Sequence, residues 1–147
     1  MGKRRTARKL ALQILYAFEA GGEEPRSIER ILDSKEVKSE TREFARGFAA
    51  TTWEHRKELD TLIAQYAKDW PLPRLAVVDK SILRLAIYEL LYEKDTPVKA
   101  VINEAVELAK EFGGDDSSKF INGILGSVVK AQIMTNDQCQ MTNKSKK

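Results

Sequence analysis

A chain of 147 residues that is 42% hydrophobic and 32% charged can build one ordinary domain or two small helical subdomains sharing a core, which excludes a third large module and wholesale disorder. Its single cysteine, Cys139, excludes a disulfide framework or a cysteine metal site within the chain. The net charge of +3 is uneven: Lys3, Arg4, Arg5, Arg8 and Lys9 give +5 at the start, the end from Lys130 carries +3, and the body is left at −5; basic arms of this kind usually meet polyanions.

The opening MGKRRTARK leads into a helical pattern with Gln13, Tyr16 and Glu19 instead of a signal-like apolar run. Nothing approaches the roughly 20 apolar residues that span a bilayer, so a cytoplasmic protein is expected. From Thr6, Leu10, Ile14 and Ala17 fall on one side of a helix with Ala11, Leu15 and Phe18 beside them. The other face carries Arg5, Lys9, Gln13 and Tyr16 at spacings of four, four and three, with Arg8 next to them. Cations for phosphates, an amide for a base edge and a ring for stacking suit single-stranded nucleic acid. The plain alternative is a solvated face whose tyrosine packs partly inward.

Gly21-Gly22 ends this helix, and Ile28, Ile31 and Leu32 form a short amphipathic turn. From Ser39 to Asp69 the pattern is helical, with Phe44, Phe48, Leu59, Leu62, Ile63 and Tyr66 on or near the buried side and a bend expected near Thr51-Thr52. His55 is the only histidine and lies among Glu54, Arg56, Lys57 and Glu58; without a second ligand or a nucleophile it reads as structural. Trp70-Pro71-Leu72-Pro73 breaks the helix, because a proline disfavours helical geometry at the residue before it. This divides one domain, residues 1–133, into helical groups 1–70 and 71–133 that pack as a unit, followed by a flexible polar and basic tail at 134–147.

Between Ser81 and Tyr92 the only strongly polar side chains are Arg84 and Glu89, so this stretch reads as a central core helix. Next, Thr96 is placed as N-cap and Pro97 as first helical residue of the clearest amphipathic helix, with Val98, Val101, Ile102, Ala105, Leu108, Ala109 and Phe112 inward. Gly113-Gly114 stops it, Asp115 to Ser118 offer caps, and a third helix opens at Phe120. Gly123 and Gly126 lie inside that helix at a cost of about 1 kcal/mol each relative to Ala, so a close approach of another helix or a ligand backbone is expected there. Arg84, Glu89 and Glu104 are expected to form ion pairs between packed helices, since no nucleophile or metal set accompanies them.

The runs RRTARKLALQILYA, SILRLAIYELL, INEAVELAKEFG and DSSKFINGILG, in this order and spacing, resemble the NusB family of bacterial transcription antitermination factors over about residues 3–130. The resemblance implies an all-α, NusB-like bundle of two packed helical groups with about six to seven helices, no active site, no cofactor and no metal. It implies binding of boxA RNA from ribosomal RNA operon leaders, together with the ribosomal small-subunit protein NusE, within the elongating RNA polymerase complex. The RNA contacts it implies fall on Lys3, Arg4, Arg5, Arg8, Gln13 and Tyr16, and on Asp116, Lys119, Phe120 and Asn122 around the last helix start; the protein partner falls near Asp79 and Tyr88. By their chemistry alone, Asp116 would cap the helix or accept a base N–H, Phe120 would stack or join the core, and Lys119 is the one cation of that loop. Two other readings stand beside this one: a stand-alone RNA-binding module akin to the N-terminal domain of ribosomal RNA cytosine methyltransferases, and a non-catalytic helical adaptor. An exposed apolar patch would serve a homodimer as well as the protein partner.

Overall fold

The computed structural model describes residues 2–21, 30, 32, 38–67, 75–93 and 95–134. Within them the chain is all-helical: α1 (Gly2–Glu19), α2 (Ser39–Glu54), α3 (Arg56–Tyr66), α4 (Val77–Tyr92), α5 (Val98–Phe112), α6 (Ser117–Val128) and a final π-helical turn (Val129–Met134). The Trp70–Pro73 break, most of the turn around Ile28, and the tail with Cys139 lie outside the described residues.

Helix α1 starts at Gly2, earlier than the expected start near Thr6, so Lys3, Arg4 and Arg5 are helical. It ends where Gly21 adopts φ of 100°, a left-handed conformation that glycine accepts without a Cβ penalty. Helix α4 is the central element. Ser81 to Leu90 are all buried, and α4 packs against each of α1, α2, α3, α5 and α6. A fully buried Leu or Ile contributes about 1.5–3 kcal/mol, and α4 supplies Ile82, Leu83, Leu85 and Ile87 to a core completed by Leu10, Ile14, Leu15, Leu59, Ile63, Ile121 and Leu125.

Three expectations shift in the structure. The interruption between α2 and α3 falls at His55 and not at Thr51-Thr52. The Thr51 carbonyl is held there by both the His55 backbone N–H, at 3.2 Å, and the His55 Nδ1, at 2.9 Å, while the ring packs against Tyr88 and Tyr92. Helix α5 begins at Val98 with Pro97 in the cap position, one residue later than expected. Gly123 and Gly126 lie exposed on α6, and a Cβ added at either meets nothing within 4 Å. No packed helix explains them; they are on the solvent side. Gly113 is the glycine with a packing reason, since a Cβ there would come 2.6 Å from Ser117 Oγ and 2.8 Å from the Ala109 carbonyl.

Candidate nucleic-acid interface

On α1, a helix of 3.6 residues per turn stacks positions three and four apart on one face. Arg5 and Tyr16 are exposed, with Lys9 and Gln13 partly exposed between them, so the strip of two cations, an amide and a ring is present. Tyr16 keeps 47% of its surface open. Lys3 lies within α1, but its side chain is outside the described residues. Arg4 is exposed on a different side, with its guanidinium carbon 4.8 Å above the ring of Phe44 on α2.

Arg8 departs from the expected basic ridge. It is only 6% exposed and donates from Nε to Glu89 Oε1 at 3.1 Å and from Nη2 to Glu89 Oε2 at 2.5 Å. The physical reason is Glu89 itself: a carboxylate on the all-buried α4 needs a charge partner, and a bidentate guanidinium offsets its desolvation. Arg8 is therefore a core ion pair and no part of the open strip.

The strip is also paired with acidic residues of α5. Arg5 donates from Nε and Nη2 to the two Glu104 oxygens at 3.2 and 2.9 Å, and Lys9 Nζ lies 3.1 Å from Glu111 Oε1. The hydrogen bonds from Arg5 hold the Glu104 carboxyl below the ordinary glutamate range, against the opposing effect of partial burial. Arg84 forms a further node: it grips Asp60 through Nε and Nη2 at 2.7 and 2.8 Å and Glu19 through Nη1 at 2.8 Å, with Lys80 2.9 Å from Glu19. The expected ion pairing of Arg84, Glu89 and Glu104 between helices is thus what the structure contains, and it leaves none of the three as a candidate for chemistry.

At the start of α6, Asp116, Lys119 and Asn122 are exposed and Phe120 is half-buried against the core. Asp116 makes no side-chain cap, contrary to the capping expectation. The turn is closed instead by Ser117, whose Oγ accepts the Gly114 N–H at 2.9 Å. Asp79 opens α4 and borders a hollow of about 330 Å³ that it shares with Asp116, Ser117 and Phe120; its Oδ1 is buried without a hydrogen-bond partner. Tyr88 is 8% exposed, in an aromatic column with Phe48, His55 and Tyr92 at ring separations of 6.1, 5.4 and 5.0 Å. That burial departs from a surface contact for a partner.

Helical spacing assigns Phe112 to the core, yet it is 38% exposed. It closes α5 beside Glu111, the partner of Lys9, and before the Gly113-Gly114 turn that leads to Asp116. Along the chain, an exposed aromatic thus lies between Glu111, which pairs with the cationic strip, and the α6 start. The hint in the sequence was position: a helix-terminal residue ahead of Gly-Gly has no following turn to cover it.

Among the described residues no cluster of three or more His, Cys, Asp and Glu could hold a metal ion, and no helix is long and apolar enough to cross a membrane. The model of the NusB family matches residues 5–130. The chain belongs to the NusB family. A transcription antitermination protein NusB from Symbiobacterium thermophilum is 45% identical over 136 residues, covering 86% of this chain and 89% of that relative. T. maritima NusB superposes with a TM-score of 0.82 at 38% identity, over 90% of this chain and 94% of that one. A chain from a crystal structure of antitermination factors NusB and NusE in complex with dsRNA gives 0.80 at 29% identity, covering 89% and 98%. That family consists of transcription antitermination factors and not of enzymes.

Proposed function

We propose that this chain binds single-stranded boxA RNA of ribosomal RNA operon leaders together with the ribosomal protein NusE, and joins the elongating RNA polymerase through that assembly. One observation carries the reading: Arg5, Lys9, Gln13 and Tyr16 form an open strip on α1, and the Lys9–Glu111 pair ties this strip to the end of α5, where Phe112 and then Asp116, Lys119 and Asn122 are exposed. A strand laid along α1 meets cations for its phosphates and, in Tyr16 and Phe112, two rings for unpaired bases. The structural relative solved with NusE and dsRNA supports NusE and RNA as partner classes; the single-stranded form rests on the α1 strip. For the protein partner, the hollow bordered by Asp79 is the more accessible of the two expected positions, because Tyr88 is buried.

The test is binding of a boxA-like single strand, a scrambled strand and a duplex, each with and without NusE. The boxA strand should bind best and more tightly with NusE present. Its affinity should fall with salt at a log–log slope of roughly −0.7 per neutralised phosphate. Equal binding of boxA and scrambled RNA would reduce the function to charge attraction. A NusE complex indifferent to RNA would favour the adaptor reading.

A further inference from the structure

The cations of the α1 strip do not face open solvent alone. Arg5, Lys9 and Lys110 line a groove of about 290 Å³ together with Glu104, Glu107, Glu111 and Leu108, so three cations and three carboxylates share its walls. Arg5 holds Glu104, and Lys9 holds Glu111, across the gap between α1 and α5. Lys110 Nζ lies 3.6 Å from Glu107, one turn along α5. Glu104, the innermost, has 14% of its side chain exposed, whereas Glu107 and Glu111 are 57% and 48% exposed. All three raise the proton affinity of the Arg5 guanidinium, which places Glu107 and Glu111 within electrostatic reach of the cation although neither bonds to it.

We propose that Glu107 and Glu111 are specificity determinants of the RNA interface: they cancel the field of Arg5 and Lys9 for any strand not held in place by base contacts. The inference rests on the RNA-binding reading above and says how that surface rejects the wrong strand. A backbone held by stacking on Tyr16 and Phe112 follows one path along the ridge and reaches Arg5 and Lys9 from the open side. A strand without those contacts samples the groove mouth, where each phosphate near a cation is also near a glutamate. Discrimination by placing repulsion against competitors is a general device of selective interfaces, and like charges at close range set partner choice and encounter more than final affinity.

The experiment replaces both glutamates, Glu107→Gln with Glu111→Gln, and measures binding of a boxA-like strand and a scrambled strand of equal composition across a salt series. Both residues are exposed, so the variant should melt with the parent chain, which circular dichroism checks. Scrambled RNA should bind roughly five- to tenfold more tightly to the variant, the scale of one or two exposed charge pairs. BoxA should gain markedly less, so that the selectivity ratio falls. The scrambled strand should also show a steeper salt dependence, by about 0.7 for each newly neutralised phosphate. An equal gain for both RNAs, or none for either, overturns the proposal. A parent chain that does not prefer boxA at all counts instead against the RNA-binding reading on which it rests.

Discussion

Arg8 and Glu89 meet inside the molecule, 81 positions apart in the chain, as a two-pronged pair that joins α1 to the buried side of α4. Both side chains are almost wholly shielded, with 8% and 3% exposed. Removing one partner leaves the other charge without water or counterion. Arg8→Ala should therefore lower stability by about 3–5 kcal/mol, and Arg8→Met with Glu89→Leu should recover most of that loss. Urea denaturation of the three variants checks it. An Arg8→Ala chain as stable as its parent would show that the pair is open to solvent.

Acid should act through the outer pairs. Burial alone would raise the Glu19 carboxyl, but its bonds to Lys80 and Arg84 together outweigh this and hold it below the ordinary glutamate range; Glu104 is likewise lowered by Arg5. A depressed folded value means that the unfolded chain takes up the proton first. The stability these groups contribute is complete above the unfolded value near about 4.3 and is lost as pH falls through the folded ones. Denaturation midpoints measured downward from neutral pH should drop in that acid window, and Glu19→Gln with Glu104→Gln should flatten the drop. An acid limb unchanged in the double variant would place its cause elsewhere.

The glycines divide into two kinds. Gly123→Ala and Gly126→Ala add a methyl group into open space on α6 and should each stabilise the chain by about 0.5–1 kcal/mol. Gly113→Ala drives a Cβ against Ser117 and the Ala109 carbonyl and should cost about 1–3 kcal/mol. Thermal melting of the three single variants distinguishes them, and a destabilised Gly123→Ala would mean that its face is covered.

Tyr16 and Phe112 are open aromatic groups, at 47% and 38% exposure, so truncating them removes little core. Tyr16→Ala and Phe112→Ala should each weaken boxA binding by about 1–3 kcal/mol if each ring stacks on a base, with melting temperatures close to the parent. Fluorescence anisotropy titration reads the loss. Unchanged affinity in both variants would remove the aromatic part of the interface.

What could be read from the sequence followed from local periodicity. The apolar run of α4, the amphipathic α5 and the need of Arg84, Glu89 and Glu104 for partners are visible in residues only a few positions apart. The burial of Arg8 is not legible locally, because a cation beside Arg5 and Lys9 looks solvated and its partner lies in another helix. Yet Leu12 and Leu15, four and seven residues on, share its side of α1 and are buried, and the lone carboxylate at Glu89 in an apolar helix was a request for a cation. The exposure of Gly123 and Gly126 could not be read locally. It depends on which faces the neighbouring helices leave uncovered, and the absence of a neighbour has no local pattern.

The ion pairs that α1 makes through Arg5, Arg8, Lys9 and Glu19 fix more than its position. Arg5 and Lys9 reach α5, while Arg8 and Glu19 reach α4, so the helix is pinned near its start and at its end. Sliding it by one turn, about 5.4 Å, would pull the buried Arg8–Glu89 pair apart and carry the outer pairs off their partners as well. Helix α1 is consequently locked in a single register, and an RNA strand arriving there finds a ruler whose marks are already set.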